Sequence, residues 1–287
     1  MDRVILGDNQ FFAVNHLSDE RSRQQAVRFK DNKAIIDVLD IAMECGVKTF
    51  MCTTYDRIGQ ICEYMRQYPE KYKDFTFYPC MPYAHKYANA VTELGIAGTL
   101  KAYVPGNIFS VATKAGIAYM RKDFPALMEL LVDAELKMFK GFSTPVIFLQ
   151  NVVTDLLMGL GMREILVHYA EYIRAKYNAE PGFITMNLPK LVDLCEEEGI
   201  KKPIICSSIN KIGFRMAESN EKYEQYLRSD KDFRPIAMQC LAAGALKPQE
   251  ALTYVCQFPK IESILFGASS RAHIKQNYDL IHQLSSK

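Results

Sequence analysis

No tryptophan occurs anywhere in the chain, and none of its eight cysteines forms a Cys-x-x-Cys pair. The first absence removes the usual fluorescent reporter of ligand binding. The second argues against a disulfide framework, which belongs to short secreted chains, and against a zinc ribbon. Charge of one sign is also scarce in excess. Thirty-five Lys and Arg face 33 Asp and Glu, for a net +2, too weak a bias to imply nucleic acid or a membrane surface as partner. No apolar run approaches the length needed to span a bilayer. The opening Met1-Asp2-Arg3-Val4-Ile5-Leu6-Gly7 reads straight into a strand, without the charged stretch and long apolar run of a signal peptide. The expected setting is therefore reducing and cytoplasmic.

What is present is a regular alternation. Short runs rich in β-branched and aromatic residues fall at 3–7, 47–52, 75–80, 145–150, 182–187, 203–208, 235–240 and 262–267, most of them after a Gly or Pro. Between them apolar residues recur at helical spacing, as in Ile35, Val38, Leu39 and Ala42, or Ile165, Leu166, Tyr169 and Ile173. Gly46 and Gly199 each stop a helix just before a strand. Eight β-then-α units predict an α/β protein with a closed (β/α)8 TIM barrel, a single domain over 1–287. The rival, an open doubly wound sheet, needs a glycine-rich turn after strand one. Here that turn is Gly7-Asp8-Asn9-Gln10-Phe11-Phe12. The stretch 81–144 is too long for one connection. It reads as a helical insertion with about three helical patterns, one at 127–139, serving either as a lid or as an outer packing layer. The charged run up to Lys30 reads as a solvated helix face.

In such a barrel the residues that end the strands converge on one mouth. They include Asp8 and Gln10, Thr53 to Asp56, Gln150 and Asn151, Asn187, Ser208 and Gln239. This rim of amides and hydroxyls suits a polyhydroxylated or carbonyl-bearing small molecule, with Gln10, Gln150, Asn151, Asn187, Ser208 and Gln239 as candidate binding residues. Helix capping is the competing reading for several of them, above all Asp56 and Asn187. The candidate acid/base groups are Asp8, Tyr55, Asp56 and the loop histidines His16 and His85. Cys52, Cys80, Cys206 and Cys240 lie at strand ends without ligand-pair spacing, so no metal is expected. The run Gly267-Ala268-Ser269-Ser270-Arg271 follows strand eight and opens the last helix, where free N–H groups attract anions. It reads either as a phosphate site or as a Ser-capped helix.

The carboxyl-terminal units resemble the aldo-keto reductase superfamily. The likeness lies in Ile236-Ala237-Met238-Gln239-Cys240-Leu241-Ala242-Ala243-Gly244-Ala245-Leu246, in Ile264-Leu265-Phe266-Gly267-Ala268-Ser269-Ser270, and in Asn277; the unit at 36–47 is similar too. The resemblance implies an NADP(H)-dependent carbonyl reductase, with Gly244, Gly267, Ser269, Ser270, Arg271 and Asn277 at the cofactor. It also implies a catalytic Asp, Tyr, Lys and His. Carried over, the Asp position holds Met51, Tyr55 stands one residue early, strand three ends Pro79-Cys80-Met81 without a Lys, and strand four ends Gln150-Asn151 without a His. A Tyr55 without those partners is expected to keep a pKa near ~10. A non-redox lyase, isomerase or transferase acting on a phosphorylated or carbonyl metabolite stays open, as do a non-catalytic regulatory barrel and a homo-oligomer.

Overall fold

In a computed structural model of the chain, residues 1–13, 19–83 and 123–285 are described. Eight parallel strands close into a barrel in sequence order, β1 (Val4–Gly7), β2 (Thr49–Thr53), β3 (Thr76–Met81), β4 (Val146–Leu149), β5 (Glu180–Thr185), β6 (Ile204–Ser208), β7 (Arg234–Met238) and β8 (Ser263–Phe266). β8 returns to β1 through the register Ile5↔Leu265. The expected (β/α)8 fold is the one observed. Strand limits differ by up to two residues. β5 starts at Glu180, which pairs with Val146, and Asn187 falls outside the ladder. The breakers mark where a loop is, not where the first ladder pair forms.

Around the barrel run α1 (Asp19–Arg28), α2 (Asn32–Glu44), α3 (Asp56–Arg66), α4 (Pro69–Tyr72), α5 (Phe124–Leu136), α6 (Asn151–Leu160), α7 (Arg163–Tyr177), α8 (Leu188–Glu197), α9 (Asn220–Arg228), α10 (Pro248–Cys256) and α11 (Arg271–Ser285). Their starts follow capping chemistry. Asp31 accepts from Ala34 N at 3.0 Å, Asp123 from Ala126 N at 3.1 Å and Asn187 from Lys190 N at 3.1 Å. After α2, Gly46 takes φ +95, and a Cβ there would meet the Tyr278 hydroxyl at 2.7 Å. The tight return to β2 therefore needs glycine.

Alternate residues of each strand fill the barrel. Ile5, Met51, Tyr78, Phe148, Ile184 and Cys206 belong to this interior cluster. Gly182 lets the ring of Phe148 occupy the centre, since a Cβ there would lie 2.4 Å from it. At the amino-terminal end, Arg234 grips Glu262 through two bonds of 2.8 Å. The barrel is thus a packed core open to chemistry only at its carboxyl mouth.

Of the 81–144 stretch, only the two ends are described. Its last helix, α5, packs on β3 and α7 and is the barrel's own crossover from β3 to β4. The residues 84–122, with His85, and His16 after β1 lie outside the described residues. Among the described residues no helix is long and apolar enough to cross a membrane.

Candidate functional site

Asp8 leaves the end of β1 and is 8% exposed. Its Oδ2 accepts from Thr53 N at 2.8 Å, tying the ends of β1 and β2. Burial raises its carboxyl from an ordinary 3.8 to about 6, against the opposing pull of the Thr53 N–H. Its charge in turn adds to the burial that holds the thiols of Cys52 and Cys80 far above their usual range. Neither cysteine is a thiolate, and among the described residues no group of three or more ligating side chains forms a metal site.

Tyr55 stands between two rings. Phe12 stacks on it at 4.0 Å, with planes 24° apart, and Tyr83 lies at 4.7 Å. The expectation of an unperturbed phenol is corrected. Burial first, then Tyr83 and the charge of Asp8, push its pKa well above the ordinary value, making it a weaker acid. Among the described residues no cation lowers it. The positions where the resemblance implies partners hold Met51 and Met81, both buried, and Gln150. Tyr55 is therefore a fixed hydroxyl, not a tuned acid.

Sequence reasoning missed Glu135. It sits near the end of α5 and is 3% exposed. Its carboxylate accepts from the Thr54 hydroxyl and from Tyr83 N at 3.1 and 3.2 Å. It thereby fixes the backbone beside Tyr55 and at Tyr83. No local signal marks it, because a Glu on an amphipathic helix ordinarily faces water. Asp155 on α6 serves the β5 end in the same way, accepting from the Thr185 hydroxyl at 2.5 Å and Met186 N at 3.1 Å.

The other candidates fall into two sets. Around the mouth, Gln10 is buried and donates to Gly7 O at 2.7 Å. Its Oε1 has no protein partner among the described residues and lies where a Gly267 side chain would stand, 2.6 Å from a Cβ built there. Gly267 thus gives room to Gln10. Gln150 is buried and its N–H bonds Met81 O at 3.0 Å, joining β4 to β3. Asn151 opens α6. Ser208 donates to Gln239 Oε1 at 2.9 Å. Asn187 caps α8, the competing reading of that residue, whereas Asp56 is not a cap. It is the exposed first residue of α3, whose N-cap is Tyr55. A β-region Tyr55 already turns the chain into the helix.

At α11, Ser270 Oγ accepts from His273 N at 3.3 Å, and Arg271 is paired with Glu44 at the surface. Arg28, which no motif marked, reaches from the end of α1 to Ser269 Oγ at 2.9 Å and Ser269 O at 2.5 Å. Two guanidinium groups thus flank the helix amino terminus, where the first N–H groups have no helical acceptor. This donor set fits a phosphate. Asn277 is buried on the same helix, with Oδ1 lacking a protein partner among the described residues. Gly244 lies in the loop after β7 at φ +96.

No protein-family model matches the chain, and no curated protein matches it. Solved structures do. A Pseudomonas aeruginosa protein described as an aldo-keto reductase superposes with a TM-score of 0.60 at 12% identity, covering 99% of this chain and 90% of its own. A protein described as a 2,5-diketo-D-gluconic acid reductase B gives 0.54 at 10%, covering 99% and 86%. An aldo-keto reductase of Brucella melitensis gives 0.50 at 10%, covering 89% and 90%. The chain therefore has the barrel fold of the aldo-keto reductases along nearly its whole length, while its sequence is far from theirs.

Proposed function

We propose that the chain is an oxidoreductase that reduces a small carbonyl compound with a nicotinamide nucleotide, NADP(H) in the first instance, using Asp8 as the proton-exchanging group. One observation carries the reading: a buried carboxyl, raised to about 6, stands at the mouth of a barrel of this fold. Ketone or aldehyde reduction needs a proton for the carbonyl oxygen, and a group titrating near neutral pH both gives and regains one efficiently. Asp8 in its protonated form hands its proton to that oxygen and is left as carboxylate on Thr53 N. Solvent restores the proton. The Tyr55 hydroxyl, held between Phe12 and Tyr83, donates a hydrogen bond to the same oxygen. The nucleotide, when bound, supplies the hydride. Arg28, Ser270, Arg271 and the first N–H groups of α11 would hold its phosphate.

The substitutions at the reductase positions favour a second reading, a non-redox enzyme on a phosphorylated carbonyl metabolite. It uses the same Asp8 and the same phosphate donors. Calorimetric titration with NADPH, NADP and NADH separates the two. Micromolar NADPH binding, followed by aldehyde-dependent NADPH oxidation, supports the reductase. Absence of binding at millimolar nucleotide sinks it and leaves the second reading. A small-molecule ligand, no nucleic-acid or membrane partner and a cytoplasmic setting go with either.

A further inference from the structure

Three non-glycine residues within five positions adopt left-handed backbone in the loop after β7, namely Gln239 at φ 54, Ala242 at φ 46 and Ala243 at φ 55. No other such cluster occurs among the described residues. For L-residues this conformation costs roughly 1 kcal/mol each, and it persists where surrounding structure enforces it. The loop is closed by Ala242 N to Gln239 O at 2.9 Å and Gly244 N to Leu241 O at 2.9 Å. Ile209 N bonds Met238 O at 3.1 Å and anchors it to the end of β6.

The first left-handed residue is the one with a functional side chain. Ser208 ends β6 and, by the two-residue alternation with Ile204 and Cys206 of the interior cluster, faces the barrel axis. It is fully buried, and its hydroxyl donates to Gln239 Oε1 at 2.9 Å. That bond lays the Gln239 side chain across the mouth and uses its oxygen. The Gln239 Nε2 has no protein partner among the described residues, and the side chain keeps partial exposure. The strained backbone therefore presents an oriented amide donor over the mouth. A glycine or asparagine would serve the turn alone more cheaply.

We propose that Gln239, oriented by Ser208, binds substrate by donating from Nε2 to an acceptor oxygen of a small hydroxy-aldehyde or hydroxy-ketone. This rests on the carbonyl-compound reading above. It extends that reading with a donor on the β7 side of the mouth, apart from Asp8 and Tyr55.

The test follows the side-chain amide signals of the glutamines in the nitrogen-15-labelled protein while glyceraldehyde is added. The Gln239→Gly variant identifies the Gln239 pair by its disappearance. Expected is a shift of that pair on titration, and at least about a tenfold weaker glyceraldehyde affinity in Gln239→Gly, the worth of one hydrogen bond left unmade. Glycine accepts the left-handed backbone, so its melting temperature should stay within about 2 °C of the parent. Gln239→Asn, which keeps both an amide and left-handed tolerance, should unfold no earlier and serves if the glycine variant does not fold. A Gln239 pair that stays still, or unchanged glyceraldehyde affinity in Gln239→Gly, overturns the proposal. If Gln239 responds while NADPH fails to bind, the reductase reading is lost and this one survives. If NADPH binds and is oxidised while Gln239 stays silent, the reverse holds.

Discussion

Replacing Asp8 with asparagine should make the protein more stable at neutral pH, and the size of the gain can be worked from its surroundings. The carboxyl titrates at about 6 in the folded chain against an ordinary 3.8, because burial outweighs the Thr53 N–H. Folding therefore favours the protonated form. The stability linked to that proton is fully present below about 3.8 and is lost as pH rises through about 6. The loss is about 3 kcal/mol. Asparagine stays neutral at every pH and still offers Thr53 N an acceptor in place of Oδ2. Asp8→Asn should thus gain most of that 3 kcal/mol at pH 7.5, about 6 °C in melting temperature for a chain of this size. The gain should shrink to a small fraction by pH 4, where the parent carboxyl is protonated too. Melts of parent and variant by circular dichroism across pH 4 to 8 isolate the difference from every other titrating group. A variant equally stable or less stable at pH 7.5, or a gain that does not change with pH, would refute the reasoning.

Three further outcomes follow from packing and from the surface. Gly182→Ala puts a Cβ 2.4 Å from the ring of Phe148 in the filled barrel, and should cost about 1–3 kcal/mol of overpacking, read as a lower denaturant midpoint. Glu135→Ala strips Tyr83 N and Thr54 of a buried acceptor and should destabilise by about 1–3 kcal/mol, whereas Glu135→Gln should recover much of it in the same melts. Arg271→Ala should leave the melting temperature nearly unchanged, since Arg271 pairs with Glu44 in solvent, and Ser270→Ala should lower it by only about 2 °C for the lost capping bond to His273 N. Both should weaken NADPH binding, and unchanged affinity in both would remove the phosphate assignment.

The barrel was legible in the sequence because its cause is local. Strand-length apolar runs, helical stripes such as Ile35, Val38 and Leu39, and a stop at Gly46 repeat until the ring closes. Asp8 was legible by position alone, as a carboxylate one residue past a strand. What the sequence could not show is how distant residues condition it. The acidity of Asp8 depends on how completely the mouth buries it, and that of Tyr55 on the flanking rings of Phe12 and Tyr83. Glu135 and Arg28 reach the site from helices, 81 and 241 residues from the groups they hold. Periodicity ranks both as ordinary surface residues of amphipathic helices. Asp56 illustrates the opposite error. A carboxylate before an apolar run resembles an N-cap, but the cap is set by backbone angles, which Tyr55 supplies.

The most direct test of the central claim is the pH dependence of NADPH oxidation with glyceraldehyde, compared between the parent and Asp8→Asn. The expected result is a kcat/KM that falls above an inflection near 6 in the parent, as Asp8 loses its proton, and an inflection-free, much lower rate in the variant. A parent profile flat from pH 5 to 8, or a variant that keeps the parent's inflection and rate, would contradict it.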